Sequence, residues 1–112
     1  GAPESGGRNI GVRPMEMMLL GLGGCTAFDV VMILEKGRAA ITGVEVELDA
    51  ERAAEDPKVF TAVKLIYTFT GKDLKRAVVE RAVALSAEKY CSASKMFELS
   101  AELTHEIIIQ EA

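Results

Sequence analysis

Two thiols are the reactive groups of this chain. Cys25 lies inside the run Met17–Leu34, MMLLGLGGCTAFDVVMIL, in which only Thr26 and Asp29 are clearly polar. Cys91 falls where the helical pattern of Leu74–Tyr90 stops and Ser92-Ala93-Ser94-Lys95 opens another. A helix N-terminus there favours thiolate through its dipole and free amides. Three readings fit the pair. Each cysteine can be a small core hydrophobe. The two can form a structural disulfide, which a reducing cytosol disfavours. They can also cycle between dithiol and disulfide during peroxide reduction: a thiolate attacks the O–O bond and becomes sulfenic acid, and the second thiol condenses with it. Pattern alone leaves the three open, because it does not show that the cysteines meet.

Few other side chains compete for a chemical role. Asp29 is one helical turn after Cys25, on about the same face. An ionised carboxylate there would raise the thiol pKa, so Asp29 is expected as a buried hydrogen-bond acceptor or a polar group facing a cavity. Arg8 and Arg13 are expected as solvated charge, with an anion near Cys25 as the functional alternative. His105, Glu88, Lys89 and Lys95 read as surface groups. Two cysteines and one histidine make no recognisable zinc spacing, so neither a metal nor a bound cofactor is expected.

The elements that must position these groups follow from periodicity. Pro14 suits the first turn of a helix, Glu16 and Lys36 complement its dipole, and Gly37 can end it. A helix over Met15–Arg38 would be apolar on all sides, and such a helix must be surrounded by protein or by lipid. Spanning a bilayer takes about 20 apolar residues, which this run approaches. Asp29 near its centre and the glycines at 21, 23 and 24 oppose that reading. The rest of the chain also reads as amphipathic elements in need of an apolar partner. No membrane is therefore expected, and the protein is placed in the cytoplasm.

Beyond Gly37 the period changes to two. Val44, Val46 and Leu48 alternate with Glu45, Glu47 and Asp49, which predicts a strand with one buried face. Ala50–Lys58 is a charged connection. Phe60–Thr70 predicts a second strand with Val63, Leu65, Tyr67 and Phe69 on one face, paired antiparallel with the first. Asp73 can cap a helix over Leu74–Tyr90, whose apolar stripe reads Leu74, Val78, Ala82 and Leu85. A short helix from Ser92 and a β-branched strand over Leu103–Gln110 complete the order. Strands and helices are partly segregated, which points to α+β. Three strands do not enclose so apolar a helix, so a partner chain or further N-terminal strands are expected to complete its cover.

With 112 residues the chain is a single domain, and 49% hydrophobic residues supply a core that aliphatic and Met side chains must pack, since Trp is absent. The net charge of −4 and the lack of a basic stripe argue against a nucleic-acid partner. Residues 1–12, rich in Gly and polar groups, are expected as a loop or arm preceding the domain at 13–112.

PMEMMLLGLGGCTAFDVVMILEKGR and LSAEKYCSASKM resemble the two cysteine segments of the OsmC/Ohr family of osmotically induced and organic hydroperoxide resistance proteins, and within it the YhfA-like branch. The cysteines stand 66 positions apart. The resemblance runs from about Arg13 to the C-terminus. It implies an OsmC-like fold in which an antiparallel sheet packs around a long buried central helix, built as an intertwined homodimer with active sites at the subunit interface. It also implies that Cys25 is peroxidatic and Cys91 resolving, that organic hydroperoxides are the substrate, and that an external dithiol is the reductant. The family's Glu, ten positions before the first cysteine, falls on Met15, with Glu16 one residue later. No residue matches the family's N-terminal Arg or its first strands. Those departures favour, as the alternative, a catalytically weak OsmC-like protein that binds a small lipophilic or thiol-reactive ligand.

Overall fold

Strands β1 (Ala40–Arg52), β2 (Phe60–Lys72) and β3 (Glu102–Glu111) form one sheet in that order. The computed structural model describes residues Arg13–Ala112; the arm expected at 1–12, with Arg8, lies outside the described residues. β2 is the central strand, and its alternation is the sharpest. Val63, Leu65, Tyr67 and Phe69 are buried, while the residues between them are half-buried or exposed. In the antiparallel β1–β2 pair, Val44 stands opposite Phe69, Val46 opposite Tyr67 and Leu48 opposite Leu65. Register is thus fixed by matching apolar faces, since a slip of one residue would turn Glu45, Glu47 and Asp49 into the core.

The third strand corrects the expectation of an all-antiparallel sheet. β3 pairs parallel with β2, with Leu103 beside Val63, Ile107 beside Tyr67 and Ile109 beside Phe69. The cause is the helical connection between them, which returns the chain to the starting end of β2. Such a crossover is what parallel neighbours require.

Helix α1 spans Pro14–Lys36, with Pro14 in its first turn, Glu16 in the acidic position and Lys36 in the basic one. Gly37 is its C-cap, and the Gly37 amide donates to the Ile33 carbonyl at 3.1 Å. The left-handed residue falls one position later, on Arg38, at φ 60°. Leu22, Thr26, Val30 and Leu34 form a buried ridge at a spacing of four. Beside it, Gly23 lets Leu48 come close: a Cβ at Gly23 would sit 2.8 Å from a Leu48 methyl carbon. By length and mean hydropathy (2.0) α1 is sufficient to cross a bilayer, but here it packs on β1, α2 and α3. The described residues of one chain cover only one of its faces. Leu20 and Phe28, on the other, are 59% and 66% exposed.

The segment expected as one helix over Leu74–Tyr90 divides. Helix α2 runs Arg76–Leu85, a π-helical turn covers Ser86–Tyr90, and helix α3 runs Ser92–Phe97. The buried stripe is Val79, Ala82, Val83 and Ser86, and Val78 is exposed. That stripe also has helical spacing, but it includes a polar residue, Ser86, which apolar patterning passes over. Asp73 is not the cap. It takes φ 51° in the turn, its amide donates to the Glu111 carboxylate at 3.1 Å, and Lys75 precedes α2 without a side-chain cap.

Candidate active site

The fold brings the two thiols together. Cys25 is half-buried on α1, and Cys91 is buried at the junction of the π-helical turn and α3. Their sulfurs and an Asp29 carboxylate oxygen all lie within 4.8 Å of one another. Local structure fixes Cys91 on both sides. Its amide donates to the Ser86 carbonyl at 2.7 Å, the i to i+5 bond of the π turn. Its sulfur accepts from the Ser94 amide at 3.4 Å, so Cys91 is the N-cap of α3.

The electrostatics differ from the sequence expectation at Cys91. Burial pushes the Cys91 thiol above its ordinary value; the hydrogen bonds from Ser94 pull the other way, and neighbouring Cys25 adds to the upward push. Desolvation therefore outweighs the start of the helix, and Cys91 is held as a thiol.

Behind the thiols lies a polar network that patterning did not reveal. The Thr26 hydroxyl is 2.8 Å from the Tyr67 hydroxyl and 2.9 Å from that of Ser86, and all three residues are buried. It links α1, β2 and the π turn immediately behind Cys25 and Cys91. Two signals were available: Thr26 is a polar residue in an apolar run, and Ser86 continues the Val79–Ala82–Val83 stripe.

An apolar groove of about 410 Å³ lies between the N-terminal half of α1 and α3, lined by Met15, Met18, Gly21, Phe60, Met96 and Phe97 among others. Met18, Gly21 and Cys25 follow at helical spacing, so Cys25 is on the groove side of α1, one turn beyond Gly21. Met15 points into this lining, while Glu16 is exposed and paired with Arg13 at 3.9 Å. Arg13 is not brought to Cys25; at 1.5 Å per residue it is about 18 Å away along the helix. Lys95 pairs with Glu98 at 3.5 Å, and Glu88, Lys89 and His105 are exposed.

An α+β chain with a dithiol centre between a long helix and a short one is the class this geometry defines. The OsmC-like protein family matches residues 6–106, and the chain belongs to that family. It is 53% identical to Protein YhfA of Escherichia coli (strain K12) over 92 residues, 82% of this chain and 69% of that protein. Among solved structures it is similar to a hypothetical protein from Aquifex aeolicus VF5, with a TM-score of 0.87 and 30% identity over 93% of this chain and 78% of that one. An organic hydroperoxide resistance protein OsmC from Legionella pneumophila shares the fold, with a TM-score of 0.74 at 19% identity over 96% of this chain and 77% of that one.

Proposed function

We propose that the chain is a thiol-dependent reductase of organic hydroperoxides, with Cys25 attacking and Cys91 resolving. The observation that carries this reading is the approach of the two sulfurs to within 4.8 Å. Cys25 is the more accessible of the two and stands one helical turn along α1 from Gly21 in the groove wall. Cys91 is buried beside it, which suits a second step in which its only target is the neighbouring Cys25 sulfur and its thiol proton leaves with the water. The Cys25 thiolate attacks the terminal peroxide oxygen, the O–O bond breaks, and the departing alkoxide takes a proton to become an alcohol. Cys25 is left as sulfenic acid. The Cys91 sulfur then attacks the Cys25 sulfur, the S–O bond breaks, and water leaves as the disulfide forms. An external dithiol restores both thiols by exchange. Methionine side chains adapt to irregular apolar partners, so Met15, Met18 and Met96 suit substrates with varied carbon skeletons.

The working unit in this reading is a cytoplasmic homodimer, supported by the uncovered apolar face of α1. The direct test is peroxide consumption with a dithiol reductant by wild type and by Cys25→Ser. Turnover by the wild type alone is expected, and equal rates would overturn the assignment. One observation favours a second reading, a ligand-binding protein with weak catalysis: Met15, not a carboxylate, lines the groove. Native mass spectrometry showing a retained small molecule, together with slow turnover, would select it.

A further inference from the structure

Asp29 is the side chain that the peroxide cycle does not use. Its Oδ2 is buried and has no hydrogen-bond partner among the described residues, a costly state for a carboxylate oxygen. One oxygen of the same carboxylate lies within 4.8 Å of both sulfurs. We propose that the reduced site is also a metal site, in which Cys25, Cys91 and Asp29 bind one thiophilic divalent cation of the zinc type and leave a fourth position open.

The donor set selects the ion. Two thiolates favour zinc over magnesium or calcium, and one carboxylate oxygen is a common third ligand. Tetrahedral zinc with bonds of about 2.3 Å to sulfur separates two sulfurs by about 3.8 Å. Donors already within 4.8 Å reach that geometry by small side-chain rotations. Cys25 and Asp29 come from one helix at a spacing of four, and so share a face. Cys91 arrives on a backbone held by the Ser86 carbonyl, and the Ser94 amide already donates to its sulfur. Such outer hydrogen bonds orient a ligand and stabilise its thiolate. The ligands come from positions 25, 29 and 91, which is why no compact zinc spacing is visible in the chain.

Binding expels the two thiol protons to solvent, and the three anionic ligands leave one net negative charge around the ion. The metal and a peroxide then compete for the same sulfurs. This last consequence rests on the peroxide-reductase reading. When the two thiolates pass two electrons to a peroxide, the O–O bond breaks, two protons complete an alcohol and water, and the disulfide that forms releases the cation. Metal binding itself needs no peroxide activity, so the two readings fail separately.

The test is titration of the fully reduced chain with Co²⁺ under anaerobic conditions. A thiolate-to-cobalt charge-transfer band is expected, saturating at one ion per chain and lost on adding one equivalent of Zn²⁺. Cys25→Ser and Cys91→Ser, each checked for folding by circular dichroism, should lose the saturable band. Asp29→Asn should weaken binding at least tenfold while keeping thiolate absorption. A wild type without a one-to-one band overturns the site, as does an Asp29→Asn variant with unchanged affinity. A second measurement needs no variant: one equivalent of Zn²⁺ should slow alkylation of the wild-type thiols, and unchanged rates would also overturn the proposal.

Discussion

The hydroxyls of Thr26 and Tyr67, 41 positions apart, are 2.8 Å from one another in the core. Ser86 completes the chain at 2.9 Å. Burial pushes the Tyr67 hydroxyl above its ordinary value, which the bond to Thr26 partly offsets. Replacing Thr26 by Val keeps its shape but leaves two buried hydroxyls without their shared partner. A loss of about 1–3 kcal/mol is expected, because unsatisfied buried groups retain their full desolvation cost. Tyr67→Phe leaves the Thr26–Ser86 bond intact and should cost about 1 kcal/mol. Urea unfolding of the three proteins measures both values. Equal stability of wild type and Thr26→Val would show that the network is not structural.

Chemical mapping tests the order of the two thiols. Mild organic hydroperoxide should convert the wild type to an intramolecular Cys25–Cys91 disulfide, seen by peptide mapping after alkylation. In Cys91→Ser the sulfenic acid has no resolving partner, so sulfenic and then sulfinic acid should accumulate at Cys25. Oxidation of Cys91 while Cys25 stays a thiol would reverse the roles.

Alkaline pH should destabilise the fold. Burial raises the Cys91 thiol and the Tyr67 hydroxyl above their ordinary values. Unfolding exposes both, so in the window between unfolded and folded pKa values the folded state holds more protons. Stability therefore falls as pH rises. The Cys91 contribution is complete below the ordinary thiol value of about 8.5 and is lost above it; Tyr67 adds a second decline from about 10. Urea midpoints at pH 7, 8.5 and 10 report this, and Cys91→Ala should remove the first decline. A midpoint that stays level from pH 8 to 10 would contradict a buried neutral thiol.

What the sequence shows and hides divides along physical lines. The limits of α1 were legible because proline, charge and glycine mark its ends locally. The buried faces of β1 and β2 were legible because period-two alternation is a local signal. The parallel placement of β3 was not, since it depends on where the α2–α3 connection returns the chain. The π turn at Ser86–Tyr90 was hidden because its i to i+5 bond serves to place Cys91, and helical periodicity carries no sign of it. Both thiols were singled out by residue type. Their meeting across 66 positions is a property of the fold, and so is the inclusion of Asp29. Thr26, Tyr67 and Ser86 were missed as a set because a buried hydroxyl satisfied by another hydroxyl leaves no apolar pattern.

The uncovered face of α1 yields the prediction on assembly. Leu20 and Phe28 are 59% and 66% exposed, and Met17 and Met32 extend the same face. Apolar area of this extent on one helix marks an association surface, and burying each large side chain contributes about 1.5–3 kcal/mol. A second copy supplies an identical face, and a two-fold pairing would cover both at once. Sedimentation of the wild type at micromolar concentration should therefore show a dimer. Phe28 points away from the Leu22–Leu34 ridge, so Phe28→Glu should leave the protomer core intact. It should place two charges in the paired interface and shift the protein towards monomer by at least the lost burial, about 3–6 kcal/mol over the two copies. The expected signature is a folded Phe28→Glu monomer by circular dichroism beside a wild-type dimer. A compact wild-type monomer at the same concentration would mean that α1 is covered from within its own chain.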